Sequence, residues 1–104
     1  MARFDAYANP EGTERRHTPY LVDVQNDFIN ALNTRVVIPL RKESVFGARA
    51  KNLNPLLLVA GESVVLDTAA LAAVPAIELK KRVANLGDQR ALLLEALDAL
   101  FGAY

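Results

Sequence analysis

The sequence predicts an α+β domain, an antiparallel sheet closed by a single C-terminal helix, and three stretches carry that reading. In residues 20–27, Tyr20, Val22 and Val24 point one way while Asp23, Gln25 and Asp27 point the other, as in a strand with one dry and one wet face. Residues 34–40 read as a second strand, with Val36 and Ile38 on one side and Val37 apolar on the other, so both of its faces need cover. Residues 89–101 hold strong helix formers with no proline or glycine inside.

Each element follows from local chemistry. Asn9-Pro10-Glu11-Gly12 is turn chemistry, and a polar loop over 13–17 leads into a strand over 20–25. Pro39 lacks an N–H and so argues for a strand end or an edge position. The unbroken apolar run 56–60 predicts a strand covered on both faces. Ala60-Gly61-Glu62 interrupts it before a strand over 63–68, a hairpin with Gly61 supplying positive φ at the turn. Residues 68–73 are ambiguous, since their alanines favour helix and the Val74-Pro75 pair favours extended geometry; 78–83 could make a short helical turn. Asp88 is the expected N-cap of the last helix. Leu93, Leu97, Leu100 and Phe101, broadened by Leu94, form its apolar stripe, while Asp88, Glu95 and Asp98 face away.

Composition bounds the function. At 104 residues the chain is one domain over 1–104, without internal repeat or linker. Its 52% hydrophobic content is high for a domain able to bury about two-thirds of its unfolded surface, so part of the excess belongs in an interface, most simply with an identical chain. Twelve basic and twelve acidic residues cancel, which removes the global field that draws proteins to nucleic acid. The absence of cysteine removes disulfides, thiolate zinc sites and thiol nucleophiles, and fits a cytoplasmic protein. No apolar core opens residues 1–20 and no run nears the ~20 apolar residues of a membrane span, so no membrane partner is expected.

Candidate catalytic groups are few. His17, the sole histidine, sits in a predicted loop beside Arg15 and Arg16, and an exposed loop histidine is the simpler reading. Asp23 and Asp27 share a strand face that could hold a metal or perform acid–base chemistry, but a solvated face explains them and Gln25 together. Arg41-Lys42 and Lys80-Lys81-Arg82 could touch phosphates, yet surface charges that keep a protein soluble look the same. The five glycines are scattered, without a phosphate-binding loop. No catalytic residue, metal ligand or cofactor site is assigned, and the residues do not describe an enzyme.

The order Leu21-Val22-Asp23-Val24-Gln25-Asn26-Asp27, then Phe28-Ile29, then Arg35-Val36-Val37-Ile38-Pro39-Leu40, resembles the CcdB toxins of bacterial toxin–antitoxin pairs. The resemblance runs nearly end to end. It takes in an opening strand at Phe4-Asp5-Ala6-Tyr7, then Leu53-Asn54-Pro55 before Leu56-Leu57-Leu58-Val59, then Val74-Pro75, and Val83-Ala84-Asn85-Leu86 before the helix. Residues 8–19 and 41–52 match in little beyond length. The resemblance implies an SH3-like barrel or five-stranded antiparallel sheet, a small inserted sheet, a C-terminal helix and a homodimer. It also makes 68–73 mostly extended or loop. It implies no enzyme activity and no cofactor. Members bind the A subunit of DNA gyrase and hold the enzyme with its DNA cleaved, and a cognate antitoxin neutralises them by wrapping a disordered segment around the dimer.

In that family gyrase is met at an apolar pair after the VDVQ strand and at the last residues of the helix, where the pattern is Phe-Trp-Gly-Ile. The resemblance therefore implies gyrase contacts at Phe28 and Ile29, and at Asp98, Phe101, Gly102, Ala103 and Tyr104. The second place departs from the pattern. Ungapped, Phe101 is kept and Gly102, Ala103 and Tyr104 replace Trp, Gly and Ile; shifted by one, Gly102 is kept and Phe101 takes the Trp position. Loss of an interface tryptophan costs at least ~2 kcal/mol, about thirtyfold in affinity. Tyr104 could offset part of this by packing flat against an arginine, with the terminal carboxylate beside it. Two alternatives stay open: a homologue that keeps the dimer and the antitoxin without poisoning gyrase, and an RNA-cleaving toxin of the MazF and Kid type, which shares the fold. Zero net charge and the lack of a convergent acid–base set weigh against the latter.

Overall fold

Seven strands and two helices make up the chain in a computed structural model that describes residues 1–29 and 31–102. The strands are β1 (Asp5–Ala8), β2 (Tyr20–Asp23), β3 (Thr34–Lys42), β4 (Leu56–Val59), β5 (Glu62–Leu66), β6 (Ala72–Pro75) and β7 (Arg82–Asn85). The helices are α1 (Glu43–Phe46) and α2 (Arg90–Phe101). All pairings are antiparallel, in the order β4-β5-β3-β2-β1-β7 with β6 also on β3, and the sheet curls into a half-barrel. The α+β architecture is the expected one. The curl is consistent with the expected SH3-like barrel, and the strands form one continuous sheet in which β3 pairs with β2, β5 and β6.

β3 is long enough to serve three partners. One edge pairs with β2 over Val37 to Leu40; the opposite edge takes β6 at Thr34 to Val37 and β5 at Leu40 to Lys42. Pro39 sits at the seam between these two, inside the strand rather than at its end or on an edge strand. The N and C=O of a strand residue face the same edge. The Pro39 carbonyl accepts the Asp67 N–H at 3.0 Å, so the missing N–H faces the seam, where no ladder bond is lost.

Both faces of the central strands β1, β2 and β3 are dry, whereas β4, expected to be covered on both faces, leaves Leu58 59% exposed because among the described residues nothing covers its outer side. The main core joins Ala6, Val22, Ile38, Leu40, Leu57 and Leu66 with Leu93 and Ala96 of α2. On the reverse face Tyr7, Leu21 and Val37 are covered by Leu79, from the segment between β6 and β7. This is the cover that Val37 requires. The wet face expected for Asp23 and Gln25 is therefore a misreading: both are buried, and only Asp27 of that trio is exposed. Polarity in an alternating pattern marks a face, not its solvation.

Smaller differences have local causes. The β4–β5 hairpin turns on Ala60 and Gly61, and both adopt positive φ, +49° and +83°, as a two-residue type I′ turn demands. After a 3₁₀ turn at Thr68–Ala70 the segment to Pro75 is extended, in line with expectation. A helical turn falls at Ala76–Glu78 instead of over 78–83, because Arg82 to Asn85 pairs with β1 and ladder bonds outweigh weak helix propensity. A 3₁₀ turn over Gly87–Gln89 precedes α2, so Asp88 lies within it and caps nothing. The Gln89 amide instead bonds both polar backbone groups of Leu58 on β4, each at 2.9 Å. The buried stripe of α2 is Leu93 and Ala96 with Leu97 packed beside them, whereas Leu94 and Phe101 are exposed. Ala96 carries too little hydrophobic weight to have marked the stripe's centre.

Candidate functional site

The loop after β2 is built by side chains that replace a lost ladder. Val24 makes one more ladder bond, its N–H donating to Val36 O at 2.9 Å, and the chain then turns away from β3. Asn26 nucleates the turn: its Oδ1 accepts the Phe28 N–H at 2.9 Å and its carbonyl accepts the Ile29 N–H at 3.2 Å. A 3₁₀ turn over Asp27–Ile29 results. It leaves Phe28 96% exposed and Ile29 47% exposed.

A groove of about 400 Å³ opens beside this loop. Val24, Val36, Ile29, Leu71, Leu97 and Phe101 line it beside the amides Gln25 and Asn26, and the surface it exposes is almost wholly apolar. Ile29 and Phe101, distant in sequence, thus share one site. Phe28 stands next to it and points to solvent, and Phe101 is 69% exposed at the end of α2. Gly102 ends that helix with φ +80° and donates its N–H to Asp98 O at 2.8 Å. Asp98 is exposed on α2 and does not line the groove. Ala103 and Tyr104 lie outside the described residues.

Beneath the loop lies a buried polar network that the sequence pattern did not reveal. Arg35 Nε meets Asp23 Oδ2 at 2.6 Å with both side chains buried, and Arg35 Nη2 is 3.8 Å from Asp27 Oδ1. The second Asp23 oxygen accepts the Gln25 N–H at 2.9 Å. From the other side Arg3 donates its backbone N–H to Asp27 at 2.8 Å and its Nε to Val24 O at 3.0 Å. The available signal was opposite charge on neighbouring strands: Asp23 sits across from Val37, so Arg35 falls one same-face position away.

These contacts answer the catalytic candidates. Where Asp23 and Asp27 could have flanked a metal, a guanidinium lies between them. Among the described residues no group of three His, Cys, Asp or Glu side chains could hold a metal ion. His17 is exposed. Arg41 is engaged by Asp67 at 2.6 Å and Thr18 at 2.7 Å, and Arg82 by Asp5 at 2.8 Å. Burial works to raise the Asp5 pKa, but hydrogen bonds from Arg82, Asn85 and the Ala2 N–H together hold it below the ordinary carboxylate value. Burial, and then the charges of Asp5 and Asp23, push the Tyr7 phenol up against the opposing pull of Arg35. Both groups serve the reverse face of the sheet, not the groove.

An apolar groove flanked by exposed aromatic rings, without titratable groups converging on it, has the make-up of a protein-docking surface. No helix among the described residues is long and apolar enough to cross a membrane. The family model described as "CcdB protein" matches residues 3–102.

Proposed function

Since the chain belongs to the CcdB family, whose members are toxins of toxin–antitoxin systems, we propose that it binds the A subunit of DNA gyrase through the Phe28, Ile29 and Phe101 surface and holds the enzyme with its DNA cleaved. The observation that carries this reading is the groove: the two segments that the resemblance assigns to gyrase, 28–29 and the end of α2, supply adjacent apolar side chains to one surface. Exposed rings of this size are the side chains that dominate interface energetics, at roughly 1.5–3 kcal/mol for each one fully buried. The toxin acts as a homodimer and is neutralised by a cognate antitoxin, and neither interaction needs a cofactor or direct contact with nucleic acid.

Induced expression in a bacterium should arrest growth and leave gyrase-linked DNA breaks. Phe28→Ala and Phe101→Ala should each weaken binding to a gyrase A fragment by about thirtyfold, the hot-spot scale, with the fold intact. Undiminished binding in both, and in a chain lacking its last three residues, would sink the assignment. The replacement of Trp-Gly-Ile by Gly102-Ala103-Tyr104 favours one second reading, a homologue that keeps dimer and antitoxin without poisoning gyrase. It predicts antitoxin binding with no growth arrest. Arrest accompanied by messenger RNA decay would instead point to an RNA-cleaving toxin.

A further inference from the structure

We infer that Gln25 is the positioning residue of the groove, a buried amide that ties the loop carrying Ile29 to the sheet strand carrying Val36. The inference rests on the docking reading above and adds a residue that the reading does not assign. At the point where β2 leaves β3, the Val36 N–H loses its ladder partner, and Gln25 Oε1 accepts it at 3.0 Å. The other end of the same amide donates through Nε2 to Ile29 O at 3.3 Å. Val36 on β3 and Ile29 on the loop both line the groove, as does Gln25 itself. One side chain therefore spans from the rigid sheet to the loop that carries the docking residues.

The amide is itself anchored. Its backbone N–H is held by Asp23 Oδ1 at 2.9 Å, and the other oxygen of that carboxylate is held by Arg35 at 2.6 Å. A continuous polar chain runs from the buried ion pair through Gln25 to the Ile29 carbonyl. A glutamine amide suits this place because, uncharged, it both accepts from Val36 and donates to Ile29 at that reach. The 3₁₀ turn over Asp27–Ile29 is held besides by Asp27, which accepts the Arg3 N–H and lies 3.8 Å from Arg35 Nη2. Loss of the Ile29 bond should leave the sheet in register and let the turn wander, so that Phe28 and Ile29 must be ordered when a partner binds.

Gln25→Glu tests this with little change of volume: the acceptor for Val36 remains, and the donor to Ile29 becomes an anion facing a carbonyl. Binding to a gyrase A fragment should weaken between about threefold and tenfold, the range of one neutral hydrogen bond. A positioning role further requires that the loss vanish in a Phe28→Ala/Ile29→Ala double background, where the turn carries no docking side chain, and persist in a Phe101→Ala background. An equal loss in both backgrounds, or full affinity in Gln25→Glu, would overturn the inference. Gln25→Met, which removes both bonds without burying a charge, serves if Gln25→Glu unfolds. Amide hydrogen exchange on the free protein separates this claim from the gyrase claim. In either variant exchange at Phe28, Ile29 and Leu32 should speed while Val22 and Ile38 stay protected. That result without gyrase binding by the parent chain refutes the gyrase reading and keeps the clamp; unchanged loop exchange refutes the clamp.

Discussion

Asp23 and Arg35 are 0% and 2% exposed, so each neutralises a charge that would otherwise be stranded in the sheet. Removing one partner of such a pair costs more than the pair contributes, because the survivor stays desolvated. Asp23→Ala is therefore expected to lower unfolding free energy by about 3–5 kcal/mol in urea titration. Asp23→Leu combined with Arg35→Met should recover most of it, and a double variant no better than the single one would contradict this account. Opposite charge on neighbouring strands hinted at the pair, but its burial was not legible in the sequence, for a definite reason. Alternation assigned Asp23 to the opposite side from Val22 correctly, but nothing local records that Leu79, from a distant segment, dries the surface around Tyr7, Leu21 and Val37 on that side. Ile29 and Phe101 were reached by resemblance to a family and not by pattern, since neither carries a local mark of function.

At the scale of elements the periodic segments were legible and their edges were not. β2, β3, β4 and α2 fall where alternation, apolar runs and helix formers put them, because those patterns reflect burial over several residues at once. The rotation of α2 was harder to read, as Leu93 and Ala96 face inward while Leu94, equally apolar, does not. The hairpin between β4 and β5 holds a testable imperfection. Ala60 occupies a position at φ +49°, where a left-handed backbone costs an ordinary residue roughly 1–2 kcal/mol. Asparagine tolerates that region and with Gly61 would complete the preferred Asn-Gly pair. Ala60→Asn should accordingly raise stability by up to ~1 kcal/mol in the same titration, with no effect on partner binding. A loss of stability would show that the turn does not control this hairpin.

Over the whole molecule, one curled sheet does two unrelated tasks: its inner face and α2 hold the core, while the strand ends near β3 present the groove. The sheet also has to end somewhere, and one of its ends is β4. An open strand edge is a template on which a second copy can add, and then a third. Here Gln89 imitates the missing neighbour, its amide occupying the N–H and C=O of Leu58 from the 3₁₀ turn that leads into α2. Whatever lifts that turn uncovers a growth point at this edge. Gln89→Ala should remain folded as a dilute sample yet scatter light and bind amyloid dyes on concentration, whereas Gln89→Glu, charged at the same spot, should stay clear. A clear Gln89→Ala solution would mean that the four-residue length of β4 is protection enough.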